Sequence, residues 1–461
     1  MKQNLKRVVA LMSVLGLVSC PAFATAQTKH YKTTSDNNYK DSYKDESTAN
    51  YKGEAIVPVN ICPNINMYTL WMDSMSQNVG RAKPTVGCDK PIQLAGGINF
   101  DTAWGNLDHG YMGEVNDRFA LNDAYINATG NVNDWIKAFI ELSYNNIQDD
   151  PLKNASTLPN PLSIVPEPKP GLYSAGYSLE TLDLQQGVII IGDLQRFPLF
   201  LRLGKQFQDF GRYQIHPITR SMTQVMTETL QTSAELSFIS GYNGMALHGS
   251  IFAFQNPMSK NNGHPGTNYG GQLGLGVISD QLGWDLGIGY IYDFTGVNDV
   301  AYAVTLFNSG DLDGEGSYTS RVGAATVYAM LNSGPFSLTA HYVSALQHFN
   351  SADLIDNEDD DDLFDDDDGD HAKPWAADIT GAYGFNAFDK NQDVYLGYQK
   401  SGDAVNLYLP RTRWLVGYGI DILKNTNVGF EFSHDQDYSE SDEGTGEGSY
   451  RGVLRVGVKF G

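Results

Sequence analysis

The sequence predicts an all-β fold, a transmembrane antiparallel β-barrel of about sixteen strands, and two observations favour this fold class. Beyond about residue 90, apolar and polar residues alternate with a period of two over segments of roughly 10 to 13 residues, a length suited to tilted strands that cross a bilayer. The connections between these segments alternate between short and long, as in outer-membrane barrels with short periplasmic turns and long external loops.

Each predicted strand gathers its apolar residues on one face, as WDLGIGYIYDF does with Trp284, Leu286 and Ile288. Aromatic residues near the strand ends match an interfacial girdle, and a closed barrel would satisfy every backbone polar group in lipid. A soluble protein of several β-sandwiches would also alternate, but it would not need aromatic-flanked strands of this length. We expect strands at approximately 92-104, 119-130, 133-145, 180-192, 198-207, 230-240, 243-254, 267-278, 283-294, 319-332, 335-347, 375-386, 391-400, 411-422, 426-437 and 448-460.

The first 90 residues divide into three parts. The basic MKQNLKR, the apolar VVALMSVLGLV and the small residues that follow predict a signal peptide over 1-26, cut after Ala24 or Ala26. LVSC also fits a bacterial lipobox, which would instead make Cys20 a lipidated N-terminus. These features predict export, and with a barrel over 91-461 they place the protein in the outer membrane of a Gram-negative bacterium.

Two segments separate the signal peptide from the barrel. Residues 27-56 are polar, repeat Tyr-Lys and predict a disordered periplasmic extension. Residues 57-90 predict a small periplasmic segment that holds Cys62 and Cys88. Because exported proteins meet an oxidising environment, we expect a disulfide between these two cysteines.

The composition and motifs exclude several function classes. The 461-residue chain has a formal net charge of -23 and a sequence pI near 4.6, which argues against nucleic acid as a partner. The sequence contains no GxSxG, HExxH or P-loop motif, and His216, His248, His341 and His434 lie on separate segments. We therefore predict neither an enzyme nor a bound cofactor.

The acidic stretch DNEDDDDLFDDDDGD, residues 356-370, falls between the eleventh and twelfth predicted strands and so predicts an external loop. One interpretation is a solvated loop whose charges are bridged to lipopolysaccharide by calcium. The other is weak cation binding that concentrates iron or calcium at the mouth, because hard cations prefer oxygen ligands. The candidate ligands are Asp359, Asp360, Asp361, Asp362, Asp365, Asp366, Asp367 and Asp368.

A set of cationic and amide side chains is predicted to face the lumen or to lie in the loop after the fifth strand. Arginine binds carboxylates through paired hydrogen bonds, so these residues predict a path or site for an anionic solute. The alternative is a set of lumen salt bridges to Glu141, Glu431 and Asp101. Lys205 shares the parity of neighbouring leucines and is expected at the lipid interface. The candidate ligand residues are Arg202, Gln206, Arg212, Arg220, Arg413, Arg451 and Arg455.

Three stretches give the barrel a more specific resemblance. Residues 115-146, the segment GDLQRFPLFLRLGKQFQDFGRY (192-213) and AKPWAADITGAYGF (372-385) resemble the LbtU family of siderophore porins. The resemblance extends over roughly residues 90 to 461. It implies an outer-membrane porin or receptor that takes up iron as a ferric siderophore complex without TonB.

Two further function hypotheses remain open beside siderophore uptake. One is a general diffusion porin for small solutes, and the other is a structural or adhesive barrel whose acidic loop binds cations. The expected partners are outer-membrane lipid, lipopolysaccharide and, for the first hypothesis, a ferric siderophore. TonB-dependent receptors have 22-stranded barrels with a plugged lumen, and the stretch before Pro91 is shorter than such a plug. The sequence predicts no particular oligomeric state.

Overall fold

Sixteen long antiparallel strands and one two-residue strand form a single closed sheet in a computed structural model of the chain. The structure describes residues 92–106, 118–144, 182–194, 196–213, 216–242, 245–260, 264–277, 282–309, 317–354, 372–442 and 444–460. The predicted signal peptide, the polar extension, Cys20, Cys62, Cys88 and the acidic run 356-370 lie outside these residues.

The strands follow one another around the barrel in chain order. Their bounds are β1 Ile92–Asn106, β2 Arg118–Asn131, β3 Ile136–Tyr144, β4 Leu182–Ile191, β5 Leu199–Phe207, β6 Leu230–Tyr242, β7 Met245–Lys260, β8 His264–Val277, β9 Gly283–Ile291, β10 Ser317–Tyr318, β11 Ala324–Ser333, β12 Phe336–Ala345, β13 Trp375–Ala387, β14 Lys390–Gly402, β15 Thr412–Leu423, β16 Thr426–Gln436 and β17 Gly448–Phe460. The short β10 pairs in parallel with the end of β7, and β9 pairs directly with β11.

The barrel closes where β1 pairs with β17, from Gly96 opposite Phe460 to Asn106 opposite Tyr450. On its other side β1 pairs with β2, so the sheet has no free edge. Closure pairs the backbone donors and acceptors between strands, which is the condition for a sheet to cross lipid. The predicted antiparallel barrel of sixteen strands is confirmed.

The alternation of connection lengths is also confirmed. The connections after β2, β4, β6, β8, β11, β13 and β15 are short, and those after β1, β3, β5, β9, β12, β14 and β16 are longer. The exception is the connection after β7, where only three residues separate β7 from β8. The first residue of β1 and the last of β17 lie at the end with the short connections. By the usual topology of such barrels this end faces the periplasm, and the long connections are external.

Two strand boundaries differ from the prediction for a local reason. β9 ends at Ile291 rather than near Phe294, because Asp293 caps a 3-10 helix at Phe294–Gly296. β11 begins at Ala324 rather than near residue 319, because the backbone N–H groups of Thr319 and Ser320 donate to the Asp353 carboxylate. In both places a side-chain acceptor from a connection competes with the strand ladder.

Helices occur in the long connections. Helix α1 is Met222–Val225, with Ser221 as its N-cap, and helix α2 is Asn298–Ser309. Among the described residues no helix is both long and apolar enough to cross a membrane.

The outer face of the barrel is apolar and exposed. In β9 the outward residues Leu286, Ile288 and Tyr290 alternate with the buried inward residues Gly287 and Gly289. Each such side chain gains about 1.5–3 kcal/mol when it leaves water, so an apolar outer face requires a lipid surrounding. The inward face carries most of the buried charged and amide side chains of the strands.

Candidate functional site: the lumen and the inward β5–β6 connection

The connection between β5 and β6, residues 208–229, folds into the lumen. The sequence predicts an external loop here, but its backbone donors find acceptors on the inner wall. Gly211 N donates to Gln272 Oε1 on β8 at 2.9 Å, and Met222 N donates to Gln399 Oε1 on β14 at 3.1 Å. The connection therefore reaches from one side of the barrel to the other and narrows the passage.

The far wall, formed by β14, β16 and β17, lies across the lumen from β8. Glu431 on β16 is the main anchor of the connection on this wall. One carboxylate oxygen accepts from Ile218 N at 2.7 Å and from the Tyr395 hydroxyl at 2.8 Å, and the other accepts from the Thr219 hydroxyl. Arg455 on β17 donates to the Ile218 carbonyl at 3.2 Å. Two of these three donors belong to the connection, so the buried Glu431 carboxylate fixes the connection at this point.

A second contact to the far wall lies beside this anchor. The His216 ring stacks on Tyr395 with a centroid distance of 4.4 Å, and its Nε2 lies 3.2 Å from Asp393 Oδ2. Burial lowers the pKa of His216 to about 4, so its imidazole is neutral at pH 7. Contact with Asp393 is therefore a hydrogen bond at this pH rather than an ion pair.

On the opposite wall, formed by β7 to β9, the connection is held by a buried charged cluster. Arg212 Nη1 donates to Asp285 Oδ2 at 2.8 Å, and His248 Nε2 lies 2.8 Å from Asp285 Oδ1. Glycines of β8 and β9 make room for this cluster, because a Cβ at Gly274 would overlap His248 and a Cβ at Gly287 would overlap the Tyr328 ring. The inward glycines thus allow large side chains to lie flat against the wall.

Arg202 on β5 lies at the entrance to the connection and has two carboxylate partners. Its Nη2 donates to Asp209 Oδ1 at 2.7 Å and also to Glu235 on β6. All three side chains are fully buried. Gln206 lies four residues further along the same face of β5 and donates to Ser233 Oγ at 3.0 Å.

The remaining predicted ligand residues also lie in the lumen or its connections. Arg413 makes a bidentate pair with Asp435 at 2.5 and 2.7 Å, and Arg455 makes one with Asp101 at 2.8 and 2.7 Å. Arg220 donates to Asp299 at 2.7 Å and to Glu228 at 3.2 Å, whereas Arg451 is buried on β17 opposite Ser433.

These partners bear on both interpretations of the lumen arginines. The Arg455–Asp101 pair is one of the lumen salt bridges expected under the alternative to ligand binding. Arg455 has a side chain 19% exposed and is the most accessible of the predicted ligand arginines, whereas Arg202 and Arg413 are fully buried. A role for the seven residues in binding a solute stays a prediction. Lys205 lies on the outward side, where its Nζ donates to Leu184 O at 2.7 Å.

The external half of the lumen on the β7–β15 side is filled by an apolar core, which the sequence analysis missed. Four long connections and the adjoining strands contribute to it, and the spacing of Val297, Val300, Ala301 and Val304 was a helical signal that could have indicated a buried face. The core includes Phe210, Met222, Val225 and Met226 from the β5–β6 connection, Phe294, Val297, Val300, Ala301, Val304 and Val322 from the β9–β11 connection, Phe349, Leu354 and Ala372 from the β12–β13 connection, and Ala404, Leu407 and Leu409 from the β14–β15 connection.

The wall formed by β1 to β4 carries polar side chains toward its external end, whereas Phe139, Val188 and Ile190 form a small apolar cluster with Phe200 of β5 toward the periplasmic end. Glu141 accepts from Asn127 Nδ2 and from Gln186 Nε2, both at 3.4 Å, and Asp123 accepts from Ser143 Oγ at 3.1 Å. Across the part of the chain that the structure describes, no three His, Cys, Asp or Glu side chains are arranged as a metal site. The acidic candidates for cation binding lie outside that part.

Comparisons with known proteins find sequence relatives in two bacterial genera. No family model matches the sequence. A UPF0422 protein of Coxiella burnetii is 26% identical over 361 residues, covering 77% of this chain and 66% of the relative. A UPF0422 protein of Legionella pneumophila (strain Paris) is 28% identical over 265 residues, covering 56% of this chain and 47% of the relative. The homologues of this chain are therefore UPF0422 proteins of Coxiella and Legionella. The chain spans between about half and two thirds of these relatives' length.

A solved structure supports the fold independently. The high-pH structure of Pseudomonas putida OprB is similar, with a TM-score of 0.52 and 13% identity, and the match covers 82% of this chain and 99% of that one. Together with the closed sheet and the apolar outer face, this identifies a porin-like barrel located in the Gram-negative outer membrane.

Proposed function

We propose that this barrel takes up iron across the outer membrane as a siderophore complex, without energy transfer from TonB. The observation that carries the proposal is the β5–β6 connection, which is anchored across the lumen at Glu431. Sixteen-stranded porins otherwise leave an open aqueous channel. A lumen narrowed by an anchored segment and an apolar core favours recognition of a particular solute over unselective diffusion.

Two further points support the proposal. The segment most similar to the LbtU family, residues 192-213, includes Arg202 and Gln206 on β5 and Arg212 at the start of the anchored connection. A sixteen-stranded barrel also differs from the 22-stranded receptors that depend on TonB.

Arg455 is the residue we propose to contact an anionic ferric siderophore. Its guanidinium combines partial exposure with a position between Asp101 and the Ile218 carbonyl of the anchored connection. Arginine forms paired hydrogen bonds with carboxylates, as Arg455 already does with Asp101, and a ligand carboxylate suits the same chemistry.

The test is uptake of radioactive iron, free and siderophore-bound, by cells with the gene deleted and restored, in a background without other iron systems. We expect saturable uptake of the siderophore complex that requires this protein and persists when TonB is removed. Uptake that is linear in concentration and limited only by solute size would identify a general diffusion porin instead. Unchanged iron uptake, with loss of surface attachment when 356-370 is removed, would favour the adhesive hypothesis.

Arg455→Gln tests the proposed contact within the same assay. We expect it to raise the half-saturating concentration at least several-fold at unchanged barrel abundance. The matched control is Lys459→Gln, which removes a cation from the same face of β17, four residues nearer the periplasmic end. Equal uptake by the two variants would remove Arg455 from the proposed site.

A further inference from the structure

The short connections of the barrel carry an unexpected set of exposed apolar residues. Short periplasmic turns in contact with water are expected to be polar, because turn residues are chosen for backbone conformation and solvation. Here each short connection with described residues has a large exposed apolar side chain within it or on the adjoining strand residue. These residues are Val132, Trp135, Phe197, Leu282, Phe336, Phe388 and Leu423.

Phe388 is the extreme member of this set. It is 94% exposed at the tip of the β13–β14 turn, with a φ of 55°, and the next residue, Asp389, has a φ of 57°. Two central residues with positive φ define a turn that favours Asn-Gly, and the left-handed region is costly for a bulky side chain. Nothing in the described part of the chain covers this ring, so its presence there is not explained by packing within the barrel.

The exposed set is continuous with the lipid-facing wall. The Phe336 ring lies 4.8 Å from that of Tyr383, and Tyr383 stacks on Phe385 at 5.9 Å, which leads along β13 to the turn at Phe388. On the neighbouring β15–β16 turn Leu423 is exposed. Lys390, two residues after Phe388, donates to the Ile422 carbonyl on β15 at 2.7 Å. Aromatic and basic side chains together are the combination that anchors at the headgroup level of a membrane.

We infer that the tips of the short connections insert into the headgroup and acyl boundary of the periplasmic leaflet, with phospholipid as the partner of Phe388. In this position the apolar ring leaves water, which offsets the unfavourable backbone conformation that holds it at the tip. The periplasmic rim is then a membrane-binding surface rather than a solvated edge.

Photocrosslinking in intact cells tests the identity of the partner. The photoreactive phenylalanine analogue p-benzoylphenylalanine replaces Phe388, and adducts are identified by mass spectrometry. Leu396, exposed on the outer wall, is the positive control, and Ala352, exposed in an external connection, is the negative control. We expect phospholipid adducts at 388 as often as at 396. An adduct with a protein or with peptidoglycan, or no adduct at 388 while 396 reacts, would overturn the inference.

Phe388→Asn gives a second test whose sign depends on the surroundings of the side chain. Asparagine fits the left-handed turn better than phenylalanine, so in water the substitution would raise the urea midpoint of unfolding. If the ring inserts into lipid, the substitution lowers the midpoint measured in phospholipid vesicles, and Phe388→Leu lies between. Asp389→Asn, at the adjoining turn residue, is the control and leaves the midpoint unchanged. A higher midpoint for Phe388→Asn in vesicles would contradict insertion.

Discussion

Charged residues in the lumen are buried together with oppositely charged partners and do not stand alone. Arg202 shows this most clearly, because its guanidinium is fully buried between Asp209 and Glu235. A buried charge is tolerated when its partners compensate the lost hydration, and removing one partner leaves the others uncompensated. Structural roles of this kind come before any role in binding, so uptake by such variants must be compared at equal abundance of folded barrel.

Arg202→Met is expected to lower the free energy of unfolding by about 3–5 kcal/mol, the usual cost of breaking a buried pair. The measurement is urea unfolding in lipid vesicles, followed by tryptophan fluorescence. Adding Glu235→Gln in the same chain should recover part of the loss, because it removes a carboxylate that has lost its partner. Wild-type unfolding of the single variant would show that water in the lumen compensates the two carboxylates.

At the scale of elements, β8 and β9 are notable for glycines along their inward face. Gly274, Gly287 and Gly289 lie against His248, Tyr328 and Phe210, which belong to β7, β11 and the β5–β6 connection. Small residues here let the connection approach the wall closely. The flat wall and the inward connection are therefore parts of one packing arrangement.

Gly287→Ala is expected to destabilise the barrel by about 1–3 kcal/mol, because the added Cβ would overlap the Tyr328 ring in a packed lumen. Gly381→Ala is the control, since a Cβ there meets no atom closer than 3.9 Å. The two variants are compared by their unfolding midpoints in vesicles. Equal midpoints would mean that Tyr328 can move away without cost.

The β5–β6 connection crosses the lumen, and Glu431 is its principal anchor. Glu431→Gln keeps the shape of the side chain but removes the charge that accepts from Ile218 N, Thr219 and Tyr395. We expect a larger and noisier single-channel conductance in planar bilayers. Ser433→Ala, two residues along the inward face of the same strand, is the control. A conductance identical to that of the wild type would show that the other contacts hold the connection by themselves.

At the scale of the whole molecule, the barrel has two unlike halves. The external half on the β7–β15 side is filled by an apolar core to which four long connections contribute, whereas only the external part of the β1–β4 wall is polar. An apolar core inside a barrel stabilises the connections by removing their side chains from water, as in a soluble domain. The barrel therefore encloses packed protein as well as a lumen wall lined by polar side chains.

Replacing residues 297–309, which contain helix α2, with a short Gly-Ser linker is expected to open the external half. Val297, Val300 and Val304 are fully buried in the core, so their loss leaves a gap that water can fill. We expect higher conductance and greater sensitivity of cells to large antibiotics. The control replaces residues 440–446 of the β16–β17 connection, which contribute no residue to this core. Equal conductance in the two variants would show that the core lies away from the passage.

The sequence by itself determined the strands, their number and the end of the barrel at which each connection lies. It could do so because each strand separates lipid from lumen, and this separation imposes a period of two along the strands between Ile92 and Phe460. The parity of Arg202, Arg455 and Lys205 followed from the same rule. Strand ends were less certain where a connection offers its own acceptor, as Asp353 does beside β11.

Only the tertiary structure decided how the connections pack inside the barrel. The contact between Ile218 and Glu431 joins residues 213 positions apart, and the pair of Arg455 with Asp101 spans 354 positions. No local period encodes which wall residue meets a given backbone N–H, because that choice depends on the closed barrel bringing distant strands together. The inward β5–β6 connection and the apolar core therefore depend on contacts that exist only in the closed barrel.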